Sequence, residues 1–235
     1  MYRNLFHGSC DRIRALDNWN TYANSLQPYV QRDDIAAIYL MDEPYSHLSV
    51  APYNCSRDQI TARLQDAASV IKTRFPTLLI SIVEGPIKDF ETIQYPNNID
   101  WVGFDCYPNF QYTGATSSGN FDSCGPYGIS VKKYIDILKS RLSMNQSIVL
   151  IPEAFYISIG NAVAPTQETQ QKIASLGKQF LELAFSEPRI VAVMPYLGLH
   201  RTVNTSAYFG ALEMPPVKSV YTNFGKAVRS PSSAQ

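Results

Sequence analysis

Charge is scarce in this sequence and it cancels. Only 17% of the 235 residues are charged, with Lys+Arg 20 against Asp+Glu 20 and a pI near 6.8. A neutral chain has no basic field to concentrate phosphate backbones or anionic lipid, so nucleic acid and a membrane surface are not expected partners. No apolar run approaches the roughly 20 residues a bilayer span needs. The three histidines, His7, His47 and His200, are too scattered for a nucleophilic triad, and no G-x-S-x-G elbow is present. Neither G-x-G-x-x-G nor G-x-x-x-x-G-K appears, which removes the glycine-rich phosphate turns. The four cysteines (Cys10, Cys55, Cys106, Cys124) lack the C-x-x-C spacing of a zinc or redox motif. Cys106 and Cys124 bracket a Gly/Ser-rich segment that a disulfide could close, although four cysteines are also ordinary background. No cofactor and no resident metal are expected. The start, MYRNLFHGSC, has no apolar stretch of signal-peptide length. Sequons at Asn54, Asn145 and Asn204 lean toward a secreted or periplasmic setting but leave the compartment open.

What is present is core material: 45% hydrophobic residues, with Tyr 15 and Phe 11. An α/β barrel of up to about 250 residues folds as one unit, so one domain over 1–235 is expected. Its parts are a helical region at 1–34, five βα units over 35–228 and a tail at 229–235. Five short apolar runs read as strands: Ile35–Met41, Leu78–Val83, Ile99–Cys106, Ser147–Ile151 and Ile190–Tyr196. Most are apolar at consecutive positions, as parallel strands covered on both faces must be. Between them run amphipathic stripes: Trp19, Tyr22, Leu26, Val30; Ile60, Leu64, Ala67, Ile71; Val131, Ile135, Leu138, Leu142; and Ile173, Leu176, Phe180, Leu183. Ser56 with Gln59 has the form of a capping box, Thr166 of an N-cap, and Pro216 could open a last helix carrying Val217, Val220 and Phe224. A short helix is expected around Ile87–Ile93, and 109–128 reads as a long loop. The fold class is therefore α/β, a parallel (β/α) barrel of TIM type.

Alternation places residues two apart on one face of a strand. The columns Tyr39-Met41-Glu43, Ile80-Ile82-Glu84, Gly103-Asp105-Tyr107, Val149-Ile151-Glu153 and Ala192-Met194-Tyr196 each end in a polar group. In a barrel these columns face the axis and end at the C-terminal mouth, where active sites of this architecture lie. Glu43 and Glu153 end strongly apolar strands, where an ionised group is costly to desolvate unless it has a use. Glu84, followed by Gly85 and Pro86, reads equally as a helix cap or rim ion pair, and for Asp105 that structural reading is the favoured one.

The segments IAAIYLMDEP, IDWVGFDCYP, SIVLIPEAF and VAVMPYLG resemble the second half of the (β/α)8-barrel glycoside hydrolases, in the clan with the acid/base on strand four and the nucleophile on strand seven. That resemblance implies Glu43 as acid/base, Glu153 as nucleophile, Tyr107 as the tyrosine orienting the nucleophile, and Tyr196 as a sugar platform. Asp42, Tyr45, Glu84, Asp105, Tyr156 and His200 complete the expected substrate-binding set. It implies hydrolysis of O-glycosidic bonds in an oligo- or polysaccharide, with retention if the carboxylates lie about 5–5.5 Å apart. Where that clan has Asn before its acid, this chain has Asp42. An Asp-Glu pair looks more like the hexosaminidase-type barrels, where Asp42 would orient a substrate acetamide and Glu153 would only bind. Residues 1–34 leave no room for strands one to three, so the barrel is incomplete, equivalent to strands 4–8. Its open edges call for a second chain or an N-terminal segment to cover them. Two other readings stand beside this one. A non-catalytic or truncated barrel would bind saccharide or protein. A Mg²⁺-dependent lyase or isomerase barrel would use Glu43, Glu84, Asp105 and Glu153 with His200 nearby.

Overall fold

A computed structural model describes residues 19–50, 53–85, 87, 89–107, 130–159, 163–196, 199, 201–203 and 206–229. The 109–128 loop, His200 and Cys124 lie outside them. Five strands form one sheet in the order β1-β2-β3-β4-β6, with α-helices between successive strands except β2 and β3: a partial (β/α) barrel. The strands are β1 (Ala37–Asp42), β2 (Leu79–Glu84), β3 (Trp101–Cys106), β4 (Ser147–Pro152) and β6 (Ile190–Val193). All five fall within the runs expected from sequence or a residue or two beyond them. By contact density the chain divides into two compact units, Met1–Phe104 with Ile135–Val149, and Asp105–Tyr134 with Leu150–Gln235.

In the first unit α1 (Trp19–Gln31) precedes β1, and α3 (Arg57–Arg74) joins the short α2 (Pro44–His47) to β2. α3 begins where its chemistry dictates. The Ser56 hydroxyl accepts from the Gln59 amide at 3.2 Å and the Gln59 side chain accepts from the Ser56 amide at 2.8 Å, so two orphan donors of the first turn are satisfied. Its Ile60, Leu64, Ala67, Ala68 and Ile71 face is buried. The α3 end is tied to the sheet through Asp100, which accepts from the Ile80 amide at 2.7 Å and pairs with Lys72 at 2.7 Å. Among the described residues the expected helix at 87–93 is only a 3₁₀ turn at Phe90–Thr92.

Register corrects one expectation. Paired residues of parallel strands point to the same side, and the β2–β3 ladder sets Val83 beside Gly103 and Glu84 beside Phe104. Glu84 therefore lies on the opposite face from the Gly103 column, not on a shared inner face. In β1 a bulge between Tyr39 and Met41 shifts the pairing by one, so that Tyr39 pairs with Ser81 and Asp42 with Val83. That places Asp42, not Met41, on the side of Tyr39. Sequence alternation cannot register an inserted residue.

The second unit holds the end of β4, α5 (Gln167–Ser186), β6 and α6 (Pro215–Arg229). Thr166 caps α5, its hydroxyl accepting from the Thr169 amide at 3.2 Å. Ile173, Ala174 and Leu181 pack on Met214, Val217 and Val220. Gly177 admits the Tyr221 ring, since a Cβ there would lie 3.0 Å from the phenol oxygen. β6 ends three residues earlier than expected, yet Met194 and Tyr196 amides still donate to the carbonyls of Leu150 at 2.8 Å and Pro152 at 3.0 Å. A second sheet, antiparallel and ordered β5-β8-β7, has no counterpart in the sequence reading: β5 (Phe155–Ile159), β7 (Arg201–Val203), β8 (Ser206–Gly210). The outermost strands of the five-stranded sheet are the least covered. β1 keeps Tyr39 and Met41 half-buried, and in β6 Val191 is 49% exposed, whereas β2 and β3 are buried almost throughout.

Replacing Gly103 with Ala puts a Cβ 2.5 Å from Val83 Cγ2 and 3.1 Å from the Ile82 carbonyl oxygen. Overpacking of this kind costs about 1–3 kcal/mol. Chemical denaturation should show that loss without a change of secondary structure in circular dichroism.

Candidate active site

In the first unit the polar groups gather where β1 and β2 end. Glu43 leaves β1 with φ 41° and ψ 54°, in the left-handed region. The other described non-glycine residues with positive φ are Asp33, Asn54 and Asp89, side chains that tolerate it. Glutamate has no such compensation, and the conformation costs on the order of 1–3 kcal/mol. Its carboxylate is partly exposed and lies 3.5 Å from His47 Nε2. Beside it, Asp42 accepts a hydrogen bond from the Tyr39 hydroxyl, which the bulge in β1 brings to the same face.

Glu84 is fully buried. Its Oε2 accepts from the Tyr45 amide at 2.9 Å and its Oε1 from the Gly85 amide at 3.2 Å. Burial pushes its pKa up to about 8; Glu43's charge adds to the rise, while backbone hydrogen bonds from Tyr45, Gly85 and Ser46 oppose it. Tyr45 is only 2% exposed, its ring edge-on to Tyr95 and its hydroxyl donating to the Gln94 carbonyl at 2.9 Å, with Thr61 Oγ1 also at 2.9 Å. A ring so enclosed packs the core and offers no face to a sugar.

In the second unit Glu153 follows β4 at 3% exposure and bridges in parallel to Tyr196. Three rings lie alongside. Tyr107 and Tyr196 are 5.7 Å apart with 31° between their planes, and Phe155 stands edge-on to both, at 5.1 Å from Tyr107 and 5.4 Å from Tyr196. Phe155 is buried and buttresses the pair, while Tyr196 is 40% exposed. Asp105 is buried at the end of β3. Tyr156 packs away from this group, against Phe209 and the α5–α6 core. Sequence reasoning missed Phe155, whose strand pairs antiparallel with β8, and Tyr221, whose buried hydroxyl has no hydrogen-bond partner among the described residues. Burial and the charge of Glu153 push the Tyr221 phenol up.

Cys55 and Cys106 are each disulfide-bonded. The expected partner of Cys106, Cys124, lies outside the described residues. No three His, Cys, Asp or Glu side chains among the described residues are grouped to hold a metal ion. A cavity of about 490 Å³ lies between α5 and α6, lined by Lys178, Leu181, Phe185, Val220 and Phe224 among others. None of the site residues expected from sequence lines it.

No protein-family model and no curated protein matches the sequence. Solved structures do match in fold. Ruminococcus gnavus β-glucuronidase superposes with a TM-score of 0.61 over 91% of this chain at 8% identity. A Gloeophyllum trabeum endo-β-1,4-xylanase of glycoside hydrolase family 10 does so with 0.50 over 87% at 13% identity. The chain spans 36% of the glucuronidase and 68% of the xylanase. The chain thus shares, in part, the barrel fold of these two enzymes.

Glu84 makes stability depend on pH. Unfolded, it ionises near 4.5; folded, near 8, so between these values the native state holds the extra proton. Its contribution is fully present below about 4.5 and lost as pH rises through about 8. Urea unfolding at pH 5 and pH 9 should show the wild type losing up to a few kcal/mol more than Glu84→Gln over that interval. Parallel pH profiles for the two proteins would contradict this account.

Proposed function

We propose that the protein hydrolyses O-glycosidic bonds in an oligo- or polysaccharide with two carboxyl groups, Glu43 giving the proton to the departing oxygen and Glu153 supplying negative charge as nucleophile or base. The observation that carries the reading is the setting of Glu153: a buried carboxyl at a strand end beside a half-exposed tyrosine, in a fold shared with glycoside hydrolases. Water exclusion around Glu153 raises the value of its charge to a developing oxocarbenium ion. Tyr107 and Tyr196 present rings inclined at 31° to each other, steadied by Phe155, and the exposed Tyr196 is the one on which the apolar face of a sugar can rest. Tyr107 is also the group proposed to orient Glu153. Asp42, held by Tyr39, is the residue that would steer an acetamide, and substrates with and without a 2-acetamido group separate that route from direct attack by Glu153.

The half-exposed flank of β6 supports a second reading, in which the barrel binds saccharide without turnover or works only with a further chain covering that edge. A panel of aryl glycosides decides between them. Hydrolysis should fall by about 10²–10⁴-fold in Glu43→Gln and be restored in part by substrates with good leaving groups, because such substrates need little protonation. Glu153→Gln should lose activity on every substrate, and Tyr196→Ala should raise KM more than it lowers kcat. Saccharide binding by calorimetry with no turnover in the wild type would favour the binding module.

A further inference from the structure

Glu43 stands out among the described residues as a long side chain in the left-handed region, and three bonds converge on the turn that contains it. The Glu43 amide donates to the Val83 carbonyl at 2.7 Å, and the Glu43 carbonyl accepts from the His47 amide at 2.8 Å. Two residues on, the Tyr45 amide donates to the Glu84 carboxyl at 2.9 Å. Consecutive residues of β2 thus grip positions 43 and 45, one through backbone and one through a side chain. Pro44 disfavours the right-handed helical conformation for the residue before it, which leaves extended or left-handed backbone. Extended backbone at 43 would carry the Tyr45 amide away from Glu84. The far end of the turn is anchored as well, by the Tyr45 hydroxyl against Thr61 and the Gln94 carbonyl.

We infer that Glu84 is a positioning residue: its buried carboxyl, by accepting from the Tyr45 amide, holds Glu43 in the left-handed conformation that aims the Glu43 carboxyl. This rests on the reading of Glu43 as proton donor. A hydrophobic side chain at 84 could fill the same space but could not accept from the turn, so a packing role alone does not call for a carboxyl there. The titratable groups facing Glu84 are the Glu43 carboxylate and the Tyr45 phenol; Arg57 and Asp58 of α3 act on that phenol, and the β3 neighbour, Phe104, is apolar. A change in the ionisation of Glu84 therefore registers at Glu43.

The test uses the full chain labelled at glutamate carboxyl carbons, in wild type, Glu84→Gln and Glu84→Ala. In the wild type the Glu43 resonance should titrate in two steps, the second near pH 8 as Glu84 ionises. In Glu84→Gln the second step should vanish, while the Tyr45 amide resonance stays near its wild-type position because the amide oxygen still accepts. In Glu84→Ala that amide should move. With an aryl glycoside that the wild type hydrolyses, kcat should fall about 10²-fold in Glu84→Ala with KM little changed, and recover most of the loss in Glu84→Gln. A Tyr45 amide resonance unmoved in Glu84→Ala overturns the positioning role, and Glu84→Met, which fills the space without accepting from the turn, gives the same reading if the alanine variant fails to fold. Absence of any glycoside hydrolysis, with the Tyr45 amide resonance still moved in Glu84→Ala, overturns the hydrolase reading and supports the grip on the turn that holds Glu43.

Discussion

Parallel pairing is the constraint from which the rest follows. Parallel strands cannot be joined by a tight turn; each must be followed by a connection long enough to return to the starting edge, and a helix packed on the sheet is the usual solution. Strands sandwiched in this way are apolar on both faces, which is how β2, β3 and β4 are buried. A polar side chain can then enter only where a strand ends and its connection begins. Glu43, Glu84 and Glu153 all occupy such positions, and each is placed by what the next few residues do and not by the strand alone.

The three ends solve the problem of a carboxyl near an apolar sheet differently. Glu84 is removed from water and compensated by backbone donors of the neighbouring turn, so protonation relieves it before any ion pair does. Glu43 stays partly in water next to His47 and spends conformational energy to do so. Glu153 is buried where the backbone bridges to Tyr196 and lies within the field of a buried phenol from α6. Splitting of environments between carboxyl groups is what acid–base chemistry on glycosides requires, because one group must keep a proton that another has lost. The likeness to a β-glucuronidase and a xylanase, at 8% and 13% identity, is one of fold, so the function is left to the residues themselves.

Much of the scaffold was legible in the sequence because the signals are local and redundant. Runs of β-branched residues marked the five parallel strands, and Ser56 with Gln59 marked the start of α3. The antiparallel sheet was not legible. β5 pairs with β8, some fifty positions away, and a five-residue run such as Phe155–Ile159 has no partner until the chain returns. The acidic residues were found by their position after apolar runs, but their company was not. Tyr45, expected to bind substrate, is core; Phe155 and Tyr221 were not singled out, yet Phe155 follows Glu153 by two residues and the Tyr221 phenol feels its charge.

By itself the sequence determined that the chain forms alternating strands and helices, where most of them begin, and which carboxyl groups follow apolar strands, since periodicity, capping chemistry and desolvation cost act over a few residues. Tertiary structure alone decided which way those carboxyl groups face. A one-residue bulge in β1 and the β2–β3 register set Asp42 and Glu84, and the turn clamped by Glu84 sets Glu43. Side-chain direction in a sheet reverses with each residue, so a single insertion or register step, invisible to periodicity, exchanges one face for the other.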